Sequence, residues 1–249
     1  MESLFYALAS AFVISLISLS GAFSLAISEK ILSKLLIFLV SFSAGSLMGG
    51  AFFHLLPEAL AEDNNVIKIF IYLLCGFCLF FILERVLRWR HCHEGVCETH
   101  QHLGWLNLVG DGIHNVIDGL VLMSAFAVSP ALGFPVAFSI IFHEIPQELG
   151  DFGVMIYSGF KRSLAILYNF ITGLLALAGV LAGFFIFDRF AGANQFLLAF
   201  AAGGFIYIAA SDLIPEIHQD KNVWRSLINF FIFLAALGLM LVLKIFGAE

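Results

Sequence analysis

Charge is what this chain has least of. Asp, Glu, Lys and Arg make up 12% of its 249 residues, against about a quarter in soluble domains. A water-exposed globular surface cannot be built from so little. With 61% hydrophobic residues and a mean hydropathy of +1.00, the composition is that of a membrane protein. Basic residues are scarce in particular. The net charge is −6, and no basic face exists to neutralise phosphates, which argues against nucleic acid as a partner. Four cysteines do not make a disulfide scaffold: Cys75 and Cys78 lie in an apolar run as packing residues, and Cys92 and Cys97 in a polar loop. The opening MESLFYALAS lacks the basic n-region of a signal peptide, so none is expected. Strand alternation is missing too, and long unbroken apolar runs exclude a barrel.

What is present is a series of apolar runs near the length of about 20 residues that a spanning helix needs. Eight can be read, at about 4–27, 35–61, 66–89, 103–128, 131–157, 164–187, 194–217 and 224–246. The expected fold is therefore all-α, a single polytopic transmembrane domain over residues 1–249 with eight helices. Lys30, Lys34, Arg85, Arg88, Arg90, Lys161, Arg162, Lys221 and Arg225 fall on one side of that arrangement, and only Lys68, Arg189 and Lys244 on the other. This bias predicts that both termini lie on the non-cytoplasmic side. FSAGSLMGGAFFHLLPE (Phe42–Glu58) aligns without a gap on FAAGGFIYIAASDLIPE (Phe200–Glu216), with seven of seventeen positions identical. The copies fall in helices 2 and 7. An odd shift of five helices makes them antiparallel, an inverted repeat of helices 1–3 and 6–8 of the kind found in secondary transporters. Recurrent small-residue packing is the competing explanation, but it does not account for the shared Pro-Glu.

Helices 4 and 5 carry the chemistry. At about 100° per residue, His143, Glu144, Gln147, Glu148 and Asp151 occupy about 140° of helix 5, and Asp111, His114, Asn115 and Asp118 about 100° of helix 4. Lipid would reject both stripes, so they face each other or a wet cavity. Between Leu103 and Phe160 there are five carboxylates and no Lys or Arg. An ionised carboxylate buried without a partner is unfavourable by several kcal/mol or more, so a cation from outside is expected to complete the site. Two imidazoles among carboxylates and amides suit a divalent transition metal, Zn²⁺ above all. Pro146 removes the helical partner of the Phe142 carbonyl, which predicts a kink and a carbonyl free to line a cavity. Single intramembrane His or Asp residues often serve only as helix contacts, but nine on two adjacent helices exceed that explanation. A membrane-embedded metal-dependent hydrolase is the alternative. It is weakened because Gln147 stands where H-E-x-x-H requires its second His, and because the inverted repeat has no role in it. A proton-driven carrier of an organic solute would need a larger aromatic or basic pocket.

HNVIDG in helix 4 and HEIPQELGD in helix 5 resemble the signatures of the ZIP (Zrt/Irt-like) metal permeases, in particular the branch whose helix-5 signature reads H-E-x-P-H-E-x-G-D. HLLPEAL in helix 2 and LYNF in helix 6 are similar to that branch as well. The resemblance implies eight helices with outward termini, transport of Zn²⁺ (or Fe²⁺, Mn²⁺, Cd²⁺) as substrate rather than cofactor, and no enzymatic activity. It also implies a two-metal site, with His114, Asp118, His143 and Gln147 at one position, Asn115 and Glu144 at the other, and Asp118 as a bridge. Asn169 of helix 6 would join the second position; Glu148, from the helix 5 stripe itself, is a further candidate metal residue. A bundle of helices 1, 4, 5 and 6 would slide against a scaffold of 2, 3, 7 and 8. Gln147 stands where this branch has His, which leaves metal preference open. A homodimer is compatible with the sequence. His54 and Asp212, at equivalent positions of the repeat, are candidates for the pathway, together with Asp111 and Asp151. The loop 91–102 gathers His91, Cys92, His93, Cys97, His100 and His102. The charge bias puts it in the cytoplasm, where reduced thiols can bind metal. Its spacing is not that of a closed zinc finger, so weak, flexible metal binding near the inner mouth is expected.

Overall fold

In a bilayer a segment of this apolarity satisfies its own backbone only as a helix. The computed structural model describes residues 2–24, 29–61, 65–89, 101–187, 192–218 and 222–246, and no strand occurs among them. The first span consists of α1 (Glu2–Ile17) and α2 (Ser20–Ser24). The second runs through α3 (Glu29–Gly49), a π turn (Gly50–Leu55) and α4 (Leu56–Ala61). The third, fourth and fifth are α5 (Val66–Trp89), α6 (Gln101–Val128) and α7 (Pro130–Tyr157). The sixth is α8 (Arg162–Gly173) with α9 (Leu175–Phe187). The seventh joins α10 (Ala193–Ile208), a second π turn (Ala209–Leu213) and α11 (Ile214–His218), and the eighth is α12 (Val223–Phe246). Seven of the eight are long and apolar enough to cross a membrane. The exception is α7, which has the length, at 28 residues, but whose polar stripe lowers its apolarity. Two spans read as unbroken are interrupted: the first at Ser18 and Leu19, the sixth at Leu174.

The repeat is visible in local geometry. Pro57 and Pro215 occupy the same position in the two copies. Each lacks the N–H that an α-helix would direct to the carbonyl four residues earlier, and its ring would clash there. In both copies the chain widens into a π turn just before the proline, and the two turns end on the equivalent residues Leu55 and Leu213. The Ala-Gly pair near the start of each copy serves packing. A Cβ at Gly45 would stand 2.3 Å from the Phe233 carbonyl oxygen of α12, and one at Gly203 only 1.9 Å from that of Leu73 in α5. The second span thus packs on the eighth as the seventh packs on the third. The fourth, fifth and sixth spans and the first pack mainly among themselves, and meet the others chiefly where α3 crosses α7 and α10 crosses α6.

One turn sets the site. Only Ser129 separates α6 from α7; its hydroxyl accepts from the Leu132 N–H at 3.2 Å, and Pro130 takes the first helical position. Both arms of this hairpin rise equally per residue, so residues equally far from Ser129 meet at one height. His114 and Glu144 are each 15 residues away (129 − 114 and 144 − 129), and Asp111 and Gln147 each 18. The largest apolar cluster, with Leu47, Leu55, Phe126, Ile140 and Leu198, occupies the end of the molecule nearer Ser129. A smaller one around Leu108, Phe152, Met155 and Ala165 lies at the opposite end. The polar stripes lie between them.

Candidate metal centre

Four side chains converge at the middle of the α6–α7 hairpin. His143 Nε2 lies 3.2 Å from Asp118 Oδ2 and 3.4 Å from Glu144 Oε1. His114 Nε2 lies 3.3 Å from Glu144 Oε1 and 3.8 Å from Asp118 Oδ2. The two Nε2 atoms are 3.1 Å apart. All four residues offer one ligand atom within 4.8 Å of the others. His143 Nδ1 is 3.1 Å from the Ser139 carbonyl oxygen. A carbonyl only accepts, so Nδ1 carries a proton, and neutral imidazole then presents the Nε2 lone pair to the group. The edges of Phe80 from α5 and Phe205 from α10 stand against His114 and His143, with ring centroids 5.7 and 5.8 Å away. Apolar rings beside the imidazoles exclude water from that flank.

A second group, Asp111, Glu144 and Glu148, also has ligand atoms within 4.8 Å of one another. Glu144 is therefore common to both groups, whereas the resemblance gave the bridging role to Asp118. The hairpin register explains this: Glu144 lies at the height of His114, between Asp118 above and Asp111 below. Asn115 Nδ2 donates to Asp111 Oδ1 at 2.8 Å and to the Asp111 carbonyl at 3.1 Å. The Ser18 hydroxyl, released from helical geometry by the break in the first span, donates to Glu148 Oε1. Asn169 of α8 donates from Nδ2 to the Glu148 carbonyl at 3.3 Å. The buried oxygens Asn115 Oδ1, Glu148 Oε2 and Asn169 Oδ1 have no hydrogen-bond partner. Gln147 is half-buried with its amide beside the Asp111 carboxyl. Asp151, half-buried, accepts from Asn107 at 3.0 Å one turn further along.

The remaining predicted residues lie elsewhere. His54 is buried in the first π turn, its Nε2 2.9 Å from the Met240 carbonyl oxygen, which ties the second span to the eighth. Asp212 is half-buried in the second π turn. Neither belongs to the two groups. The Phe142 carbonyl freed by Pro146 does not line the site: the Ser43 hydroxyl of α3 donates to it, and α7 runs on as a helix through the proline. A buried carbonyl needs a partner, and a serine one helix away supplies it. His91, Cys92, His93, Cys97 and His100 fall outside the described residues; of His102 only the backbone, in the first turn of α6, is described. The sequence reading missed Ser18 and Ser43. Serines spaced through apolar helices were the only signal for them.

The protein-family comparison supplies the deciding observation: a family described as "ZIP Zinc transporter" matches residues 1–102 and 89–244. The chain belongs to the ZIP zinc transporter family. Its ZIP relatives include zinc transporter ZIP13 of Pongo abelii, 32% identical over 84% of this chain and 66% of that protein. Zinc transporter YKE4 of Saccharomyces cerevisiae is 30% identical over 81% of this chain and 70% of that protein. Zinc transporter foi of Drosophila melanogaster is 36% identical over 61% of this chain. This ZIP chain spans 22% of the length of the fly protein and about two thirds of the orangutan one. The family is one of membrane transporters rather than enzymes, so the hydrolase reading falls away.

Proposed function

We propose that this chain carries divalent transition-metal cations, Zn²⁺ foremost, across the membrane into the cytoplasm through the α6–α7 hairpin. The observation that carries the reading is the buried meeting of His114, Asp118, His143 and Glu144 with no Lys or Arg on either helix. Two imidazole nitrogens and two carboxylate oxygens match the donors and the number that Zn²⁺ takes. A cation at this point offsets the desolvation of the carboxylates, for which α6 and α7 supply imidazoles but no Lys or Arg. Glu144 lets the two groups act as a pair of metal positions sharing one carboxylate. Asp111, Glu148 and Asp151 continue from there toward the end of the hairpin away from Ser129. The Lys and Arg bias places that end in the cytoplasm, both termini on the other side, and a descending row of carboxylates then leads inward. Entry of a dication is favoured by about 4.6 kcal/mol at roughly −100 mV, from about 2.3 kcal/mol per charge, so uptake needs no coupling ion. The names of the relatives above, zinc transporters all, support Zn²⁺ as the substrate.

The test is radiometal uptake into vesicles holding the purified full-length chain, with competing Fe²⁺, Mn²⁺ and Cd²⁺. Asp118→Ala and His143→Ala are each expected to abolish saturable Zn²⁺ uptake while the protein remains folded in the membrane. Normal uptake by both variants would remove the hairpin from the pathway.

A further inference from the structure

Away from the metal centre, the fourth and sixth spans leave a groove between them. Trp105, Val109 and Ile113 of α6 line one side of it, and Tyr168, Ile171 and Leu175 of α8 and α9 the other. Gly112 and Thr172, the small residues between them, form the floor. The space amounts to about 510 Å³. Going beyond the transport reading, we propose that this groove holds an acyl chain of an anionic phospholipid, with its headgroup on Lys161 and Arg162.

Three observations select that occupant. The first is polarity. The side chains of the lining are hydrocarbon but for the tips of Trp105 and Tyr168 and the Thr172 hydroxyl. That hydroxyl is spent within its own helix, on the Asn169 and Tyr168 carbonyls at 2.9 and 3.1 Å. A polar solute would find no partner along the groove, and burying it there would be unfavourable. The second is length. The groove follows α6 from Trp105 to Ile117, 12 residues (117 − 105), or about 18 Å at roughly 1.5 Å per residue. One leaflet of a hydrocarbon core about 30 Å thick measures about 15 Å. The groove thus spans a single leaflet, the reach of one acyl chain rather than of a crossing helix. The third is the charged end. The Trp105 ring stands against Phe160 and Tyr168, with centroids 5.4 Å from each, and Phe160 leads directly into Lys161 and Arg162. Aromatic rings with one wet edge sit at headgroup level. Both basic side chains are exposed there, and no carboxylate pairs with either among the described residues. A basic pair at the mouth of a cleft between spans suits an anionic headgroup.

The groove and the metal centre are built from the same helices. Gly112 follows Asp111, Ile113 precedes His114, and Thr172 bonds the carbonyl of Asn169. A chain seated in the groove packs the lipid side of α6 and α8, whose other side faces the site.

The experiment uses the purified full-length chain with Trp89→Phe and Trp224→Phe, which leaves Trp105 alone of the three tryptophans. In phosphatidylcholine vesicles its fluorescence is read against equal small mole fractions of phosphatidylglycerol or phosphatidylcholine brominated on the acyl chain. Each Lys or Arg near an anionic surface is worth about fivefold in association, so brominated phosphatidylglycerol should be preferred about tenfold or more. Lys161→Ser/Arg162→Ser should remove most of that preference. Ile113→Phe, at an exposed position of the lining, should fill the groove and lower quenching by phosphatidylglycerol to the phosphatidylcholine level. Equal quenching by both lipids in the parent chain, or a preference that survives both changes, overturns the proposal. So does disulfide cross-linking of two copies through Val109→Cys in a chain whose native cysteines are serine, which gives the groove to a second chain. No arm of the test contains metal, so the lipid site and the transport reading stand or fall separately.

Discussion

At the scale of single residues, Gln147 is the position where this chain departs from the branch it resembles. It follows His143 by one helical turn and lies beside Asp111 of the second group. An amide oxygen is a poorer partner for Zn²⁺ than an imidazole nitrogen. Gln147→His should therefore raise Zn²⁺ affinity, read as a lower KM for uptake or a lower Kd by calorimetry; an unchanged or weaker affinity would show that this position does not ligate. The nine polar residues of α6 and α7 were legible because charge in an apolar helix stands out against its surroundings. Ser18 was not, since a serine hydroxyl inside a helix ordinarily returns to a backbone carbonyl, as Ser15 does to Ala11 at 2.8 Å. Only the break after Ile17 lets Ser18 reach Glu148.

At the scale of helices, packing depends on places where two backbones nearly touch. Gly45 and Gly203, equivalent in the repeat, face carbonyl oxygens of α12 and α5 that no side chain can displace. Gly45→Val and Gly203→Val should each lower stability by about 1–3 kcal/mol or more through overpacking, measured as a drop in thermal midpoint in detergent. Gly153→Ala is the contrast. A Cβ there meets nothing within 4 Å, and replacing an exposed helical glycine is neutral or stabilising by about 0.5–1 kcal/mol. Equal losses in all three variants would mean that the close approaches do not hold the helices together. The gapless repeat was readable as identity in sequence. Its physical content, a π turn before each proline and a glycine contact in each copy, appears only once the helices are packed.

At the scale of the whole molecule, the bias of Lys and Arg predicts the orientation in the membrane. In a background with the four native cysteines changed to serine, Lys161→Cys should react with membrane-impermeant thiol reagents from the cytoplasmic side. Val66→Cys, exposed at the start of α5, should react from the opposite side. The reverse pattern would invert the pathway and with it the voltage argument for uptake. The sequence alone determined the helical class, the approximate spans and the repeat, and it singled out the polar stripes of the fourth and fifth spans. These follow from composition, run length and spacing, which are local properties of a chain that must satisfy its backbone without water. Tertiary structure alone decided which of these residues gather into each candidate group. That depends on the one-residue turn at Ser129, which sets the height of α6 against α7 and makes Glu144 rather than Asp118 the common carboxylate. It likewise decided that the Phe142 carbonyl is taken by Ser43, because a hydrogen bond between helices 99 residues apart in the chain leaves no trace in local sequence.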